Sequence, residues 1–261
     1  MLVLSDEHVA SVAAPWPETV TFPDGGEYRP SKYQRWLNRC WDRMLEICLE
    51  YDHFDCIVNL GDTLDGNNPR ACIVTDRMDC QVAAAVELLS PVRDLSEQFY
   101  MVAGTTFHVG KGAQYEAQVA DQLGATPHPE TSHRVWPYLL KDCAGRIGHL
   151  SHHIGTVRNN RYEPSALWSS FLNLRSEYDR TYGRTAPDIT FKVNAHRHRM
   201  MHVEKGNWHA LAVCGWQLHT DYSLRVAGDS LPEIGFAVIE MGDEFRVRQV
   251  AFTPPLPWVE K

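Results

Sequence analysis

The sequence has no long apolar run, no Cys-x-x-Cys pair, no excess of basic residues and no repeated or low-complexity tract. Each absence removes a class of function. A membrane-spanning helix needs about 20 consecutive apolar residues, and no segment approaches that. The opening Met1-Leu2-Val3-Leu4 meets charge at Asp6, too soon for the apolar centre of a secretion signal. A soluble, cytoplasmic protein is the expectation. Against 33 acidic residues stand only 25 basic ones, a net charge of −8, so nothing draws the chain as a whole to nucleic acid or to an anionic membrane. Any such contact would need a local basic patch. Seven cysteines, an odd number without paired spacing, argue against a disulfide framework and for free thiols in a reducing compartment.

What is present is enough apolar material, 44% of 261 residues, for one α/β domain spanning 1–261. Short apolar runs at 2–5, 54–60 and 99–103 read as buried strands, each ended by a polar or glycine-rich turn. Between them Tyr33, Trp36, Leu37, Cys40, Trp41, Met44, Leu45 and Cys48 recur at helical spacing after Ser31, a cap residue. Further helices are predicted over 78–89, ending before Ser90-Pro91, over 113–123, with Gly124 closing the last turn, and over 166–174. The second half is richer in strands, at 138–141, 147–151, 189–194, 210–213, 234–239 and 245–251. Strands alternating with helices describe a sheet covered by helices.

Polar clusters follow the predicted strands: Ser5-Asp6-Glu7-His8, Gly61-Asp62-Thr63-Leu64-Asp65-Gly66, Gly104-Thr105-Thr106-Phe107-His108, Ser151-His152-His153 and Ala195-His196-Arg197-His198. Strand ends are where sheet enzymes build ligand sites. On an extended strand Asp6 and His8, two apart, would point the same way and hold one metal ion, and His196 and His198 repeat the spacing. Singly, an Asp-x-His or His-x-His has about one chance in ten of being a ligand pair. Five clusters in order, each at a strand end, are much harder to obtain by chance.

The ordered set Asp6-x-His8, Gly61-Asp62-x-x-Asp65, Gly104 to His108, His152 and His196-x-His198 resembles the calcineurin-like metallophosphoesterase superfamily over roughly residues 2–200. The resemblance implies an α/β fold, a metallophosphoesterase-like four-layer β-sandwich flanked by helices. It implies two divalent metal ions, and mixed carboxylate and imidazole ligands suit manganese, iron, zinc or nickel. Asp6, His8 and His198 would hold the first metal, Asp62 would bridge, and His152 and His196 would hold the second. A water activated between the metals would attack a phosphate ester. His108 would serve as general acid, with Asp65 accepting its other N–H.

The chain departs from the family where Gly104-Thr105-Thr106-Phe107-His108 stands in place of Gly-Asn-His-Asp or Gly-Asn-His-Glu, so the usual asparagine ligand is missing. Thr105, a water or a redirected His108 are its possible replacements. His152 and His153 compete for one ligand position, since neighbours on a strand face opposite ways; family usage favours His152 and leaves His153 for substrate. Lys111, Arg158 and Arg161 follow site motifs and are phosphate-binding candidates, although a solvated loop charge is the plainer account of each. The same ambiguity attends Arg197 and Arg199. Trp16, Phe22 and Tyr28 would either stack on a base or pack beneath their own loop. Protein phosphatases of the superfamily carry an arginine after the second aspartate of the Gly-Asp motif; here Gly66 follows Asp65, which favours a phosphodiesterase. The alternatives are a nuclease acting on DNA or RNA, and a non-catalytic binding module with a degraded second metal position.

Overall fold

The computed structural model describes residues 1–18, 20, 22, 24–67, 72–153, 163–227 and 231–255. Leu2–Leu4 (β1), Ile57–Asn59 (β2) and Phe99–Val102 (β3) are short strands buried throughout. Leu2, Leu4, Ile57, Phe99 and Met101 face one core, while Val3, Val58, Tyr100 and Val102 face another. Burial on both faces removes the need for alternation, which is why these strands read as near-continuous apolar runs.

β1, β2 and β3 pair in parallel, extended by Val135–Trp136 (β4) on one side. Antiparallel Ile234–Met241 (β10) and Phe245–Phe252 (β11) complete the order β11-β10-β1-β2-β3-β4. The second sheet contains Leu139–Cys143 (β5), Arg146–Ser151 (β6), Ile189–Asn194 (β7), Met201–Lys205 (β8) and Trp208–Ala212 (β9), in the order β5-β6-β7-β9-β8. Its central β6, β7 and β9 are parallel.

The sheets pack face to face through Val3, Val58, Leu60 and Val102 against Leu150, Phe191, Val193 and Leu211. Helices Lys32–Cys48 (α1), Met78–Arg93 (α2) and Gln114–Gln122 (α4) cover the outer face of the first sheet through Leu37, Trp41, Met44, Leu89 and Val119. Glu163–Tyr182 (α5) covers the second through Leu167, Trp168 and Phe171. The result is the expected α/β sandwich of four layers, helices on sheet on sheet on helix.

At α1 the predicted cap is present as a capping box, in which Ser31 accepts from the Gln34 backbone and the Gln34 side chain accepts from the Ser31 backbone. α2 does not stop before Ser90-Pro91 but continues to Arg93. A proline this near the end removes one helical hydrogen bond, and Leu89 and Val92, both fully buried, hold the last turn in place. Thr106–Val109 (α3), Asp221–Ala227 (α6), β4 and β8 were not legible as elements, being short or polar. Trp16 is fully buried and meets Phe22 and Tyr28 at ring-centre distances of 6.2 and 6.0 Å, so that aromatic cluster packs its own loop. All seven cysteines are free. No helix among the described residues is long and apolar enough to cross a membrane.

Candidate metal centre

Parallel strands end together, so the loops after β1, β2 and β3 and those after β6 and β7 meet at one edge of the sandwich. They carry Asp6 and His8, Asp62 and Asp65, Thr105 and His108, His152, and His196 and His198 respectively. These residues do not continue their strands. Asp6 (φ 56°), His8 (φ 45°), Asp62 (φ 55°), His196 (φ 74°) and His198 (φ 49°) all occupy the left-handed region. The extended Asp-x-His and His-x-His geometry expected from spacing is therefore replaced by tight turns. Aspartate and histidine tolerate this conformation better than most side chains, and strain of this kind concentrates at functional sites. His196, 41% exposed in its side chain, offers a test. His196→Val should cost the metal-free fold about 1–3 kcal/mol by urea unfolding, while His196→Gly should not.

The side chains converge. Asp6 Oδ1 lies 3.2 Å from His198 Nε2, 3.7 Å from His8 Nε2 and 4.0 Å from His152 Nε2. Asp62 Oδ2 lies 3.0 Å from His152 Nε2 and 3.8 Å from His196 Nδ1, and those two imidazoles approach to 3.2 Å. Two sets result, Asp6-His8-His198 and Asp6-Asp62-His152-His196, each with ligand atoms within 4.8 Å of one another. The carboxylate common to both is Asp6, where the resemblance implies Asp62. Asp6 Oδ2 accepts from Ser5 Oγ and from the His196 backbone N–H, yet Oδ1, fully buried, has no hydrogen-bond partner among the described residues. A buried orphan oxygen facing three imidazole nitrogens suits a cation. The donors fit the divalent transition metals expected.

Around this centre the roles shift. His108 Nδ1 lies 2.9 Å from the Asp65 backbone carbonyl and 3.6 Å from its carboxylate, so the main chain of Asp65 orients His108. The Asp65 carboxylate is 3.2 Å from His8 Nδ1 and accepts from Gln217 Nε2, which fixes His8 instead. Thr105, at the position of the missing asparagine, donates its N–H and hydroxyl to Asp62. His152 Nδ1 meets the Leu60 carbonyl at 2.7 Å, which leaves Nε2 facing the centre. His153 is exposed, its ring 4.7 Å from that of His196. Lys111 is exposed and does not line the groove above the centre. Arg158 and Arg161 lie outside the described residues. Arg197 and Arg199 do line the groove, and both reach the buried Glu163 carboxylate, at 3.5 and 3.2 Å.

Glu116 escaped the sequence reading. Fully buried on α4, it accepts the Thr63 N–H at 3.1 Å with one oxygen and the Gly104 N–H at 2.9 Å with the other, tying the β2 and β3 loops together. The available signal was a charge on the face that Val119 and Ala120 bury, three and four residues on. Gly104 has its own constraint: a Cβ there would lie 2.2 Å from the Asp62 backbone nitrogen, so only glycine lets the loops touch.

Electrostatics follow from burial. Burial alone would raise Asp62, but His152 and His196 hold it far below the usual carboxylate range, and His198 and His152 do the same for Asp6. Conversely, burial would lower His8 and His152, but neighbouring carboxylates push them up to about 10 and about 9. Burial raises Glu7 to about 8 and Glu116 to about 7.

For His8 and His152 the folded value exceeds the ordinary 6.5, so their contribution is complete below pH 6.5 and is lost as pH rises through 9 and 10. Glu7 and Glu116 act in the same direction, losing stability as pH rises from 4.5 through 7 and 8. Metal-free protein is therefore expected to lose stability steadily from pH 6.5 to 10, checked by urea unfolding in chelator. Metal binding must displace the imidazole protons, so zinc affinity is expected to rise over the same range, with proton release measurable in calorimetry.

No family model matches the chain, and no curated protein matches it. Solved structures do. Wild-type Vps29 complexed with Zn2+ from Entamoeba histolytica aligns over 97% of this chain and 98% of its own at 14% identity, with a TM-score of 0.43. A novel archaeal phosphodiesterase aligns over 96% and 98% at 8% identity, TM-score 0.47. A conserved uncharacterised protein of Streptococcus pneumoniae, described as a predicted phosphoesterase, aligns over 94% and 85% at 11% identity, TM-score 0.40.

Proposed function

We propose that the chain is a metallophosphoesterase that hydrolyses phosphodiesters at a dinuclear metal centre. The observation that carries this reading is Asp6, a buried carboxylate common to two imidazole-rich sets, with one oxygen that has no hydrogen-bond partner among the described residues. Asp6, His8 and His198 would hold one metal, and Asp62, His152 and His196 would join Asp6 on the other. When bound, the ions supply an activated water and neutralise charge on the phosphoryl oxygens.

The chain's own residues supply the rest. Asp65 keeps the His8 ring in register, and its carbonyl engages His108 Nδ1. His108 Nε2 then serves the leaving oxygen as general acid. Burial lowers the His108 pKa, so the protonated acid should be depleted as pH rises, giving the rate a falling alkaline limb. Arg197 and Arg199, steadied by Glu163, border a groove of about 610 Å³ and suit contact with the ester's phosphate or a second acidic group. Gly66 after Asp65, rather than arginine, favours a diester.

A second reading, a binding module that keeps one metal position, draws on Thr105: it hydrogen-bonds Asp62 and brings no amide oxygen to the centre. A hydrolysis screen with manganese over bis-p-nitrophenyl phosphate, p-nitrophenyl phosphate, cyclic nucleotides and single- and double-stranded DNA separates the readings, run beside metal analysis of protein purified without chelator. Two equivalents of metal that Asp6→Asn loses, and faster hydrolysis of the diester than the monoester, are expected. Cleavage of DNA alone would make the chain a nuclease, and one equivalent or none lost in Asp6→Asn, with no turnover, would make it a module.

A further inference from the structure

Away from the Asp6 centre the hairpin of β8 and β9 gathers a second set of ligand groups. Glu204 pairs directly across from His209, and His202 across from Leu211, so His202, Glu204 and His209 share one face of the hairpin. His202 Nε2 comes to 3.2 Å from His209 Nδ1, and Glu204 Oε2 lies 4.0 Å from the same nitrogen. All three offer ligand atoms within 4.8 Å of one another, and none of the three belongs to the sets around Asp6. The nitrogen-to-nitrogen approach equals that of His152 and His196 in the candidate metal centre, where two carboxylates, Asp6 and Asp62, complete the set.

We propose that His202, Glu204 and His209 form a separate zinc site at the edge of the second sheet. The ring of His209 is almost fully buried and stacks on Phe245 of β11 at 3.9 Å between centres and 15° between planes, so its direction is fixed by packing. Glu204, 59% exposed in its side chain, gives an ion access from solvent. Two imidazoles and one carboxylate with an open fourth position match zinc's tetrahedral preference. β8 is the outermost strand of its sheet, and a metal there would pin it to β9 and, through His209, to the opposite sheet.

The test is a zinc titration of the full chain against a chromophoric chelator, comparing the parent with His202→Asn and with Glu204→Gln. His202→Asn is expected to bind one equivalent fewer than the parent, and Glu204→Gln to bind that equivalent at least about tenfold more weakly. Because the readout is the difference from the parent, it holds whether the Asp6 centre takes two ions or none. Nitrogen-15 spectra of the imidazoles should show the His202 and His209 resonances shifting on zinc addition. Glu204 is exposed, so Glu204→Gln keeps the fold if His202→Asn does not, as circular dichroism will report. Unchanged stoichiometry and affinity in the variants would reduce His202 and His209 to a hydrogen-bonded pair and overturn the proposal.

Discussion

Asp6→Asn is expected to empty both metal positions and to lower phosphodiester turnover by about 10³-fold or more. Metal stabilisation of a phosphoryl transition state is worth several kcal/mol, and each 1.36 kcal/mol is a factor of ten. Asparagine keeps the shape and offers an oxygen to the Ser5 hydroxyl and the His196 N–H, the two donors that Asp6 Oδ2 now satisfies. What it removes is the charge that His8, His152 and His198 surround. Asp62→Asn should cost nearly as much, since Asp62 faces His152 and His196. Asp65→Asn should cost only about 10-fold to 100-fold, because that carboxylate orients His8 from behind. Metal content and turnover, with circular dichroism to confirm folding, decide the ranking. Equal losses at Asp6 and Asp65 would show that neither holds the place given to it.

His108→Ala should retain both metals yet lose about 10²-fold to 10⁴-fold in rate on a diester with a poor leaving group. Activated p-nitrophenyl esters should suffer far less, because p-nitrophenolate departs without a proton. The opposite arrangement is also chemically available, since His108, His8 and Asp65 form a third set of converging ligand atoms. If His108 substitutes for the missing asparagine as a ligand, the variant should lose metal and fall equally on both substrates. Full rate on the poor leaving group, with both metals bound, would remove His108 from the chemistry.

The sequence exposes those parts of the fold whose physics is local. β1, β2 and β3 are buried on both faces and leave near-continuous apolar runs, while β7 alternates Ile189, Phe191 and Val193 with Thr190, Lys192 and Asn194; α1 writes its amphipathic period and its cap within a few residues. β4, of two residues, and β8, at a sheet edge with a partly exposed face, have no comparable pattern, because their partners on β3 and β9 define them. The extent of α2 beyond Pro91 likewise depends on what Leu89 and Val92 bury against, which is tertiary information.

The candidate site divides along the same line. Histidines and aspartates at strand ends announce themselves by type and order, whereas which oxygen faces which ring depends on turns of positive φ that no spacing encodes. Spacing pairs Asp65 with His108, and turns decide that the Asp65 carbonyl meets His108 while its carboxylate engages His8. Glu163 and Glu116 act on loops far from them in sequence, so beyond a charge on the buried face of α4 neither role is written in the spacing.

The Glu116 tie also governs time. With both carboxylate oxygens committed to the Thr63 and Gly104 amides, exchange of those two protons is expected to slow and to follow the opening of α4. Detachment of α4 would release the loops of β2 and β3 in one event, carrying Asp62 and His108 out of register together. The lifetime of the two-loop arrangement is then expected to follow how often a nine-residue helix undocks.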